Sequence, residues 1–190
     1  MPNIFAISDL HLSFSADKPM NVFGSRWDHY EQRLMQNWQN TVAKDDVVLM
    51  PGDISGATYV KDAVCDFNYL EQLNGQKVIS KGNHDYWWET LSKLNAFLQT
   101  NGFSTVQFVH NTTAVFGNVA VCGTKGYPET EQEPDNDEER KLYRRELLRL
   151  EHAICEAKKT GAEKTIVMLH YPPGANSASA RAIQEAGADF

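Results

Sequence analysis

Short apolar runs alternate with stretches of helical period along the first half of the chain. Asn3–Ser8 is an apolar run held between Pro2 and the polar Asp9, and it reads as a buried strand. Asp46–Met50, closed by Pro51-Gly52, and Gln76–Ser80 read as two more. Residues 12–27 show no period, contain Pro19 and Gly24, and are expected to be a loop. Asp28 with Glu31 has the spacing of a capping box, and Tyr30, Leu34, Trp38 and Val42 then recur at helical intervals. A second helix is predicted over 58–73, where Val60, Ala63, Phe67, Leu70 and Leu73 form one apolar stripe. A third is predicted over 88–100 through Leu91, Leu94 and Leu98, with Asn101-Gly102 as its stop.

From residue 103 the texture changes to short β-rich runs, Val106–Val109, Thr113–Phe116 and Val119–Cys122, the last two joined by a Gly117-Asn118 hairpin turn. Gly123–Asp135 is a polar loop. Asp137–Lys159 is the longest predicted helix, with Tyr143, Leu147, Leu150, Ile154 and Ala157 on one face and charges that complement its dipole. Lys164–Leu169 is the final strand and ends at His170-Tyr171-Pro172-Pro173. Strand–helix–strand–helix–strand, a β-rich middle and a last helix–strand imply an α/β layered fold with a mixed sheet. No repeat or linker divides the chain, so one domain is expected.

Composition narrows the classes of function. With 190 residues, 42% of them hydrophobic, the chain can bury a sizeable core. A net charge of −7 argues against a general grip on nucleic acid, which needs a basic face. It leaves room for a small phosphorylated substrate, because bound cations reverse the local field. Cys65, Cys122 and Cys155 have no metal or redox spacing and are expected to be reduced thiols packed as small apolar residues. The N-terminus lacks a basic start followed by an apolar region, and no run is long enough to span a bilayer. A cytoplasmic protein without membrane contact is the default expectation.

The candidate chemistry lies at the strand ends. Asp9, His11, Asp53, Asn83, His84 and His170 all stand at or just beyond the C-terminal ends of predicted strands, where sites form in open α/β sheets. Carboxylate, imidazole and amide donors suit a divalent cation. The other histidines lack such company: His29 and His152 sit among polar helix neighbours, and His110 beside Asn111 reads as a turn residue. Trp87 and Trp88 read as packing at a helix start. Lys125, in the loop Gly123–Tyr127, is a weaker candidate for reaching a phosphate.

Asp9-x-His11, Gly52-Asp53, Gly82-Asn83-His84-Asp85 and the later His170, in that order, make the chain resemble the calcineurin-like metallophosphoesterases over about residues 4–173. The resemblance implies a four-layer α/β/β/α sandwich with two stacked mixed sheets and a dinuclear metal centre. It assigns Asp9 and His11 to a first metal, Asp53 to a bridge between both, and Asn83 and His170 to a second. His84 would stand near the leaving group, with Asp85 orienting its ring. The implied activity is hydrolysis of a phosphate mono- or diester by a bridging hydroxide, on a small-molecule or macromolecular substrate. Two divalent ions acidify the attacking water and clamp the phosphate. Mixed nitrogen and oxygen ligands leave manganese, iron and zinc open.

The pattern departs from the family in one place. A closing Gly-His-x-His block is absent: Gly174–Phe190 holds no His or Cys and is Ala-rich. The domain is therefore expected over 1–173, with 174–190 an atypical tail that cannot supply the last strands, as in a truncated or frame-shifted end. The fold is expected to be incomplete at the C-terminal end and the metals only partly occupied. Two alternatives follow: a degenerate relative that binds metal or phosphate with little turnover, and self-association through an unpaired sheet edge.

Overall fold

Four of the strands predicted from apolar runs pair in parallel. They are β1 (Ile4–Ala6), β2 (Val47–Met50), β3 (Gln76–Ile79) and β4 (Val106–Phe108), in the order β1-β2-β3-β4. Register places Ile4 beside Val47, Val47 beside Gln76, and Lys77 beside Val106. The computed structural model describes residues 2–128 and 134–188. Its contacts divide into two compact units: residues 2–79 with 83–108, and residues 80–82 with those from Val109 onward. The first unit carries this parallel sheet.

Strand β2 is buried along its whole length, as a central strand between two neighbours should be. Strand β1 is shorter and less buried than the run Asn3–Ser8 predicted, because it lies at the end of the strand order with β2 on one side only. The Asp46 carboxylate ties the two together, accepting from the Asn3 N–H at 2.8 Å and the Ala43 N–H at 2.9 Å.

The crossovers are helical: α1 (Tyr30–Thr41), a 3-10 turn at Val60–Ala63 running into α2 (Val64–Gln72), and α3 (Leu91–Asn101). The predicted stripes face the core, with Trp38, Phe67, Leu70, Leu94 and Leu98 all buried. Phe67 sits at its centre, edge-on to Trp87 at 5.3 Å and to Phe97 at 5.2 Å. The capping box is corrected. Helix α1 starts after His29, whose backbone is left-handed at φ 51° and whose side chain makes no cap bond. Asp28 closes the preceding 3-10 turn, one residue too early to cap, and Arg33 instead donates to the carbonyls of Asp28 and Arg26. Lys77 is fully buried in β3, and its Nζ donates to the Leu73 carbonyl at 2.6 Å and the Gly75 carbonyl at 2.9 Å. Burial pushes this amine down to about 8.

The second unit holds β5 (Thr113–Phe116), β6 (Val119–Thr124) and β7 (Lys164–Leu169). Strands β5 and β6 form the expected hairpin, and β6 runs parallel to β7. This sheet is mixed, whereas the four-stranded one is parallel throughout. Helix α4 (Asp137–Lys159) has the predicted bounds. Asn136 caps it, accepting from the Glu138 N–H at 2.8 Å, and Tyr143, Leu150, Ile154 and Ala157 are buried. Ala120 and Cys122 of β6 share one core with Leu150, Ala153 and Ile154.

One expectation changes here. Of the three thiols only Cys122 is buried; Cys65 and Cys155 are exposed, Cys155 lying one position off the buried face of α4. The Ala-rich stretch forms a helix, α5 (Ala178–Glu185), capped by Ser177, with Ala180 buried and Ile183 buried in that core. Asp189 and Phe190, and residues 129–133 of the acidic stretch Glu129–Glu139, lie outside the described residues.

Candidate metal site

Past their last paired residues, β1 and β2 do not part. The Ile7 N–H donates to the Leu49 carbonyl at 3.0 Å, Asp9 to Gly52 at 3.1 Å, His11 to Asp53 at 3.0 Å and Leu12 to Ile54 at 2.9 Å. Gly56 then returns a bond to the Leu12 carbonyl at 2.7 Å. Two loops that sequence places over forty residues apart are thus laced into one irregular ribbon. The lacing forces an uncommon backbone on the residues that matter most: φ is 58° at Asp9, 46° at His11 and 54° at Asp53. Left-handed conformations at non-glycine residues are rare and collect at functional sites, where surrounding bonds hold them.

The side chains of these three residues converge. His11 Nε2 lies 3.7 Å from Asp9 Oδ1 and 3.8 Å from Asp53 Oδ2. These gaps exceed a hydrogen bond, which falls at about 2.7–3.2 Å. They are shorter than about 4.4 Å, twice a metal–ligand distance of roughly 2.2 Å, so one cation fits between the donors. Two carboxylates and an imidazole are a donor set for a divalent transition ion. Asp53 is 2% exposed and Asp9 51%, so one carboxylate lies at the floor and the other at the open rim. The Ser8 hydroxyl donates to Asp9 Oδ2.

The Gly82-Asn83-His84-Asp85 turn after β3 supports this floor. The His84 N–H donates to Asp53 Oδ1 at 2.8 Å, and its exposed ring lies 5.9 Å from that of His11. Asp85 has a task the sequence did not reveal. Its buried carboxylate accepts from the Asp53 N–H at 2.8 Å, the Ile54 N–H at 2.9 Å and the Trp87 indole at 2.9 Å. It therefore fixes the backbone that presents Asp53, a job for which charge-assisted bonds are strong. Asn83 is in the same turn, directly before His84. His170 directly follows β7 and belongs to the second unit, as does Lys125, whose Nζ lies 5.7 Å above the Tyr171 ring.

Other supporting residues gave no sequence signal. The Tyr30 hydroxyl stands 3.0 Å from the carbonyl oxygens of both Leu10 and His11, donating to one at a time. Tyr30 counted only as part of an apolar stripe. Asp66 anchors the far side, accepting from the Phe14 N–H at 2.9 Å and from the Ser55 hydroxyl. Burial raises its pKa, and those bonds oppose the shift.

Residues 2–189 match the calcineurin-like phosphoesterase family. The chain is 32% identical over 113 residues to uncharacterized protein MJ1445 of Methanocaldococcus jannaschii, which covers 58% of this chain and 60% of that one. It is 28% identical over 85 residues to Gene 66 protein of Mycobacterium phage L5, 45% of this chain and 41% of that one. Both alignments span less than two thirds of the relative. A crystal structure of AQ665 from Aquifex aeolicus, a protein of unknown function, superposes with a TM-score of 0.43 at 16% identity, over 87% of this chain and 89% of that one. Among the described residues no helix is long and apolar enough to cross a membrane. With the family matched along nearly its whole length, the chain belongs to the calcineurin-like phosphoesterases, a family of metal-dependent phosphoesterases.

Proposed function

We propose that the chain hydrolyses phosphate mono- or diesters with two divalent cations, Asp9 and His11 holding the first and Asp53 shared between both. The order of the family's motifs assigns Asn83 and His170 to the second. The observation that carries the reading is the convergence of Asp9, His11 and Asp53, each in a left-handed backbone, with carboxylate oxygens 3.7 and 3.8 Å from one imidazole nitrogen. When bound, such ions neutralise phosphoryl oxygens and make a water acidic enough to attack at neutral pH.

The chain's own groups do the rest. Asp53 is locked at both levels: its N–H is held by Asp85 and its Oδ1 by the His84 N–H, so its second oxygen keeps its aim toward His11. Preorganisation of this kind removes the reorganisation that a flexible carboxylate would undergo. His84 carries an exposed imidazole on a pinned backbone. A protonated ring nitrogen there donates to the departing alkoxide, a step worth about 10²–10⁴-fold.

The test is hydrolysis of an aryl phosphate by the full chain with added Mn²⁺. Asp53→Asn is expected to lower kcat by about 10³-fold, since charge stabilisation by bound metal amounts to several kcal/mol. His84→Ala should fall by about 10²–10⁴-fold. Rates equal to the parent in both variants would exclude the mechanism. Mn²⁺ binding without turnover of any ester would favour the binding-only alternative.

A further inference from the structure

A cleft of about 740 Å³ opens at the candidate site, and His11 and His84 are part of its lining. Its size falls within the ~300–1,000 Å³ of small-ligand pockets. Apolar atoms make most of its lining, and its walls include Val22, Phe23, Trp27 and Tyr86. Three of these are unusually open to solvent: Val22 at 71%, Phe23 at 69% and Tyr86 at 63%. Single exposed apolar side chains need no explanation, but several converging on one concavity mark a binding surface.

The aromatic walls are tied to the residues that frame the site. The Tyr86 ring meets the His84 ring edge-on at 6.2 Å. The Trp27 ring meets Tyr30 edge-on at 5.2 Å, and the Tyr30 hydroxyl reaches the Leu10 and His11 carbonyls. Lys18 and Arg26 also line the cleft, and Lys18 is held in place by the Gly56 carbonyl at 2.7 Å with the Tyr86 ring 5.8 Å from its Nζ. Flat π-faces that end at a phosphate-handling site, with cations along the wall, fit one ligand chemistry: an anionic ester carrying an aromatic ring.

We infer that this cleft is a leaving-group subsite which takes the aromatic ring of a phosphoester and selects aryl or nucleoside phosphates over esters of small polar alcohols. The inference rests on the hydrolase reading above. A lipid surface would also be drawn to apolar and basic groups, but here they face into a concavity, and the chain's net charge of −7 opposes an anionic bilayer.

Two experiments separate the subsite from the chemistry. In the first, kcat/KM is measured with Mn²⁺ for 1-naphthyl phosphate, a nucleoside 5′-monophosphate and glycerol 3-phosphate, in the parent, Trp27→Ala and Tyr86→Ala. Comparing each variant with the parent cancels the differing acidity of the leaving groups. The loss for ring-bearing esters is expected to exceed that for glycerol 3-phosphate by about 10-fold, the usual worth of ring stacking, with Trp27→Phe restoring most of it. A loss confined to the naphthyl ester assigns aryl phosphates; a loss shared by both assigns nucleotides; equal losses on all three overturn the subsite. In the second, calorimetry compares benzylphosphonate with methylphosphonate, neither of which can be hydrolysed. Tighter binding of the benzyl compound, lost in Trp27→Ala, supports the subsite even where no ester turns over, and then the hydrolase reading alone fails. No preference for the ring, or binding to anionic vesicles alone, overturns the subsite while leaving hydrolysis to stand on its own assay.

Discussion

In the three-stranded unit most left-handed backbone positions fall on glycine. Gly117 and Gly161, at φ 60° and 73°, turn the chain with open space where a Cβ would be, and Asn111 is the one non-glycine case in that unit among the described residues. The parallel-sheet unit divides the same geometry evenly among the described residues, between the glycines Gly24, Gly52, Gly75 and Gly102 and the side-chain-bearing Asp9, His11, His29 and Asp53. A turn that only reverses the chain can use the residue without a Cβ and avoid strain. A turn that must also present a carboxylate or an imidazole cannot, and neighbouring bonds must hold the strained residue in place. The bonds from Asp9 to Gly52 and His11 to Asp53, and the Asp85 clamp, do this holding.

That contrast can be broken by substitution. The largest effect is expected from Asp9→Gly: loss of the proposed ligand should reduce the proposed Mn²⁺-dependent turnover beyond the roughly 10–100-fold typical of outer partners of metal sites. The same change should raise stability in EDTA by about 1 kcal/mol, because the strain disappears. Denaturant melts showing lower stability would mean that no strain resides at Asp9. Next is Gly123→Ala in the relaxed unit. A Cβ there would meet the Met168 carbonyl oxygen at 2.2 Å, so β6 and β7 must separate, at a cost of about 3 kcal/mol. A melting curve like the parent's would show that this sheet yields more easily than its register implies.

Lys77 tests whether the parallel unit stores cost in its core as well as its loops. Its folded amine titrates near 8, below the unfolded value of about 10.4. Below pH 8 both states are protonated and burial of the charge works against folding. Between about pH 8 and 10.4 the unfolded chain binds more protons, so stability should rise across that window, by on the order of 3 kcal/mol. Lys77→Met should flatten the rise relative to the parent. Gly117→Ala should matter least, costing about 1 kcal/mol and leaving turnover as it was; a change in turnover would link that hairpin to the chemistry.

Sequence pattern was enough for elements whose cause is local. Helix α4 has acids at its start, lysines at its end and one apolar face, and its bounds matched. Donor residue types following apolar runs singled out Asp9, His11 and Asp53, whose side chains converge, and His84, whose N–H holds Asp53. What pattern could not show depends on partners distant in the chain. Asp85 meets Asp53 and Ile54 across 32 and 31 residues. The left-handed turns follow from bonds between two loops, and the Tyr30 hydroxyl finds its acceptors some twenty residues back. Residues 12–27, which had no period, turned out to build most of the cleft wall. The Asp28 capping box failed for a related reason, since a preceding 3-10 turn sets where α1 begins.

The indole of Trp87 is 1% exposed and shares its Asp85 acceptor with the backbone of Asp53. A fluorophore shielded from solvent quenchers is therefore wired to the floor of the site through a single carboxylate. Adding Mn²⁺ is therefore expected to change tryptophan emission, and Trp87→Phe isolates the share of this indole from the other three.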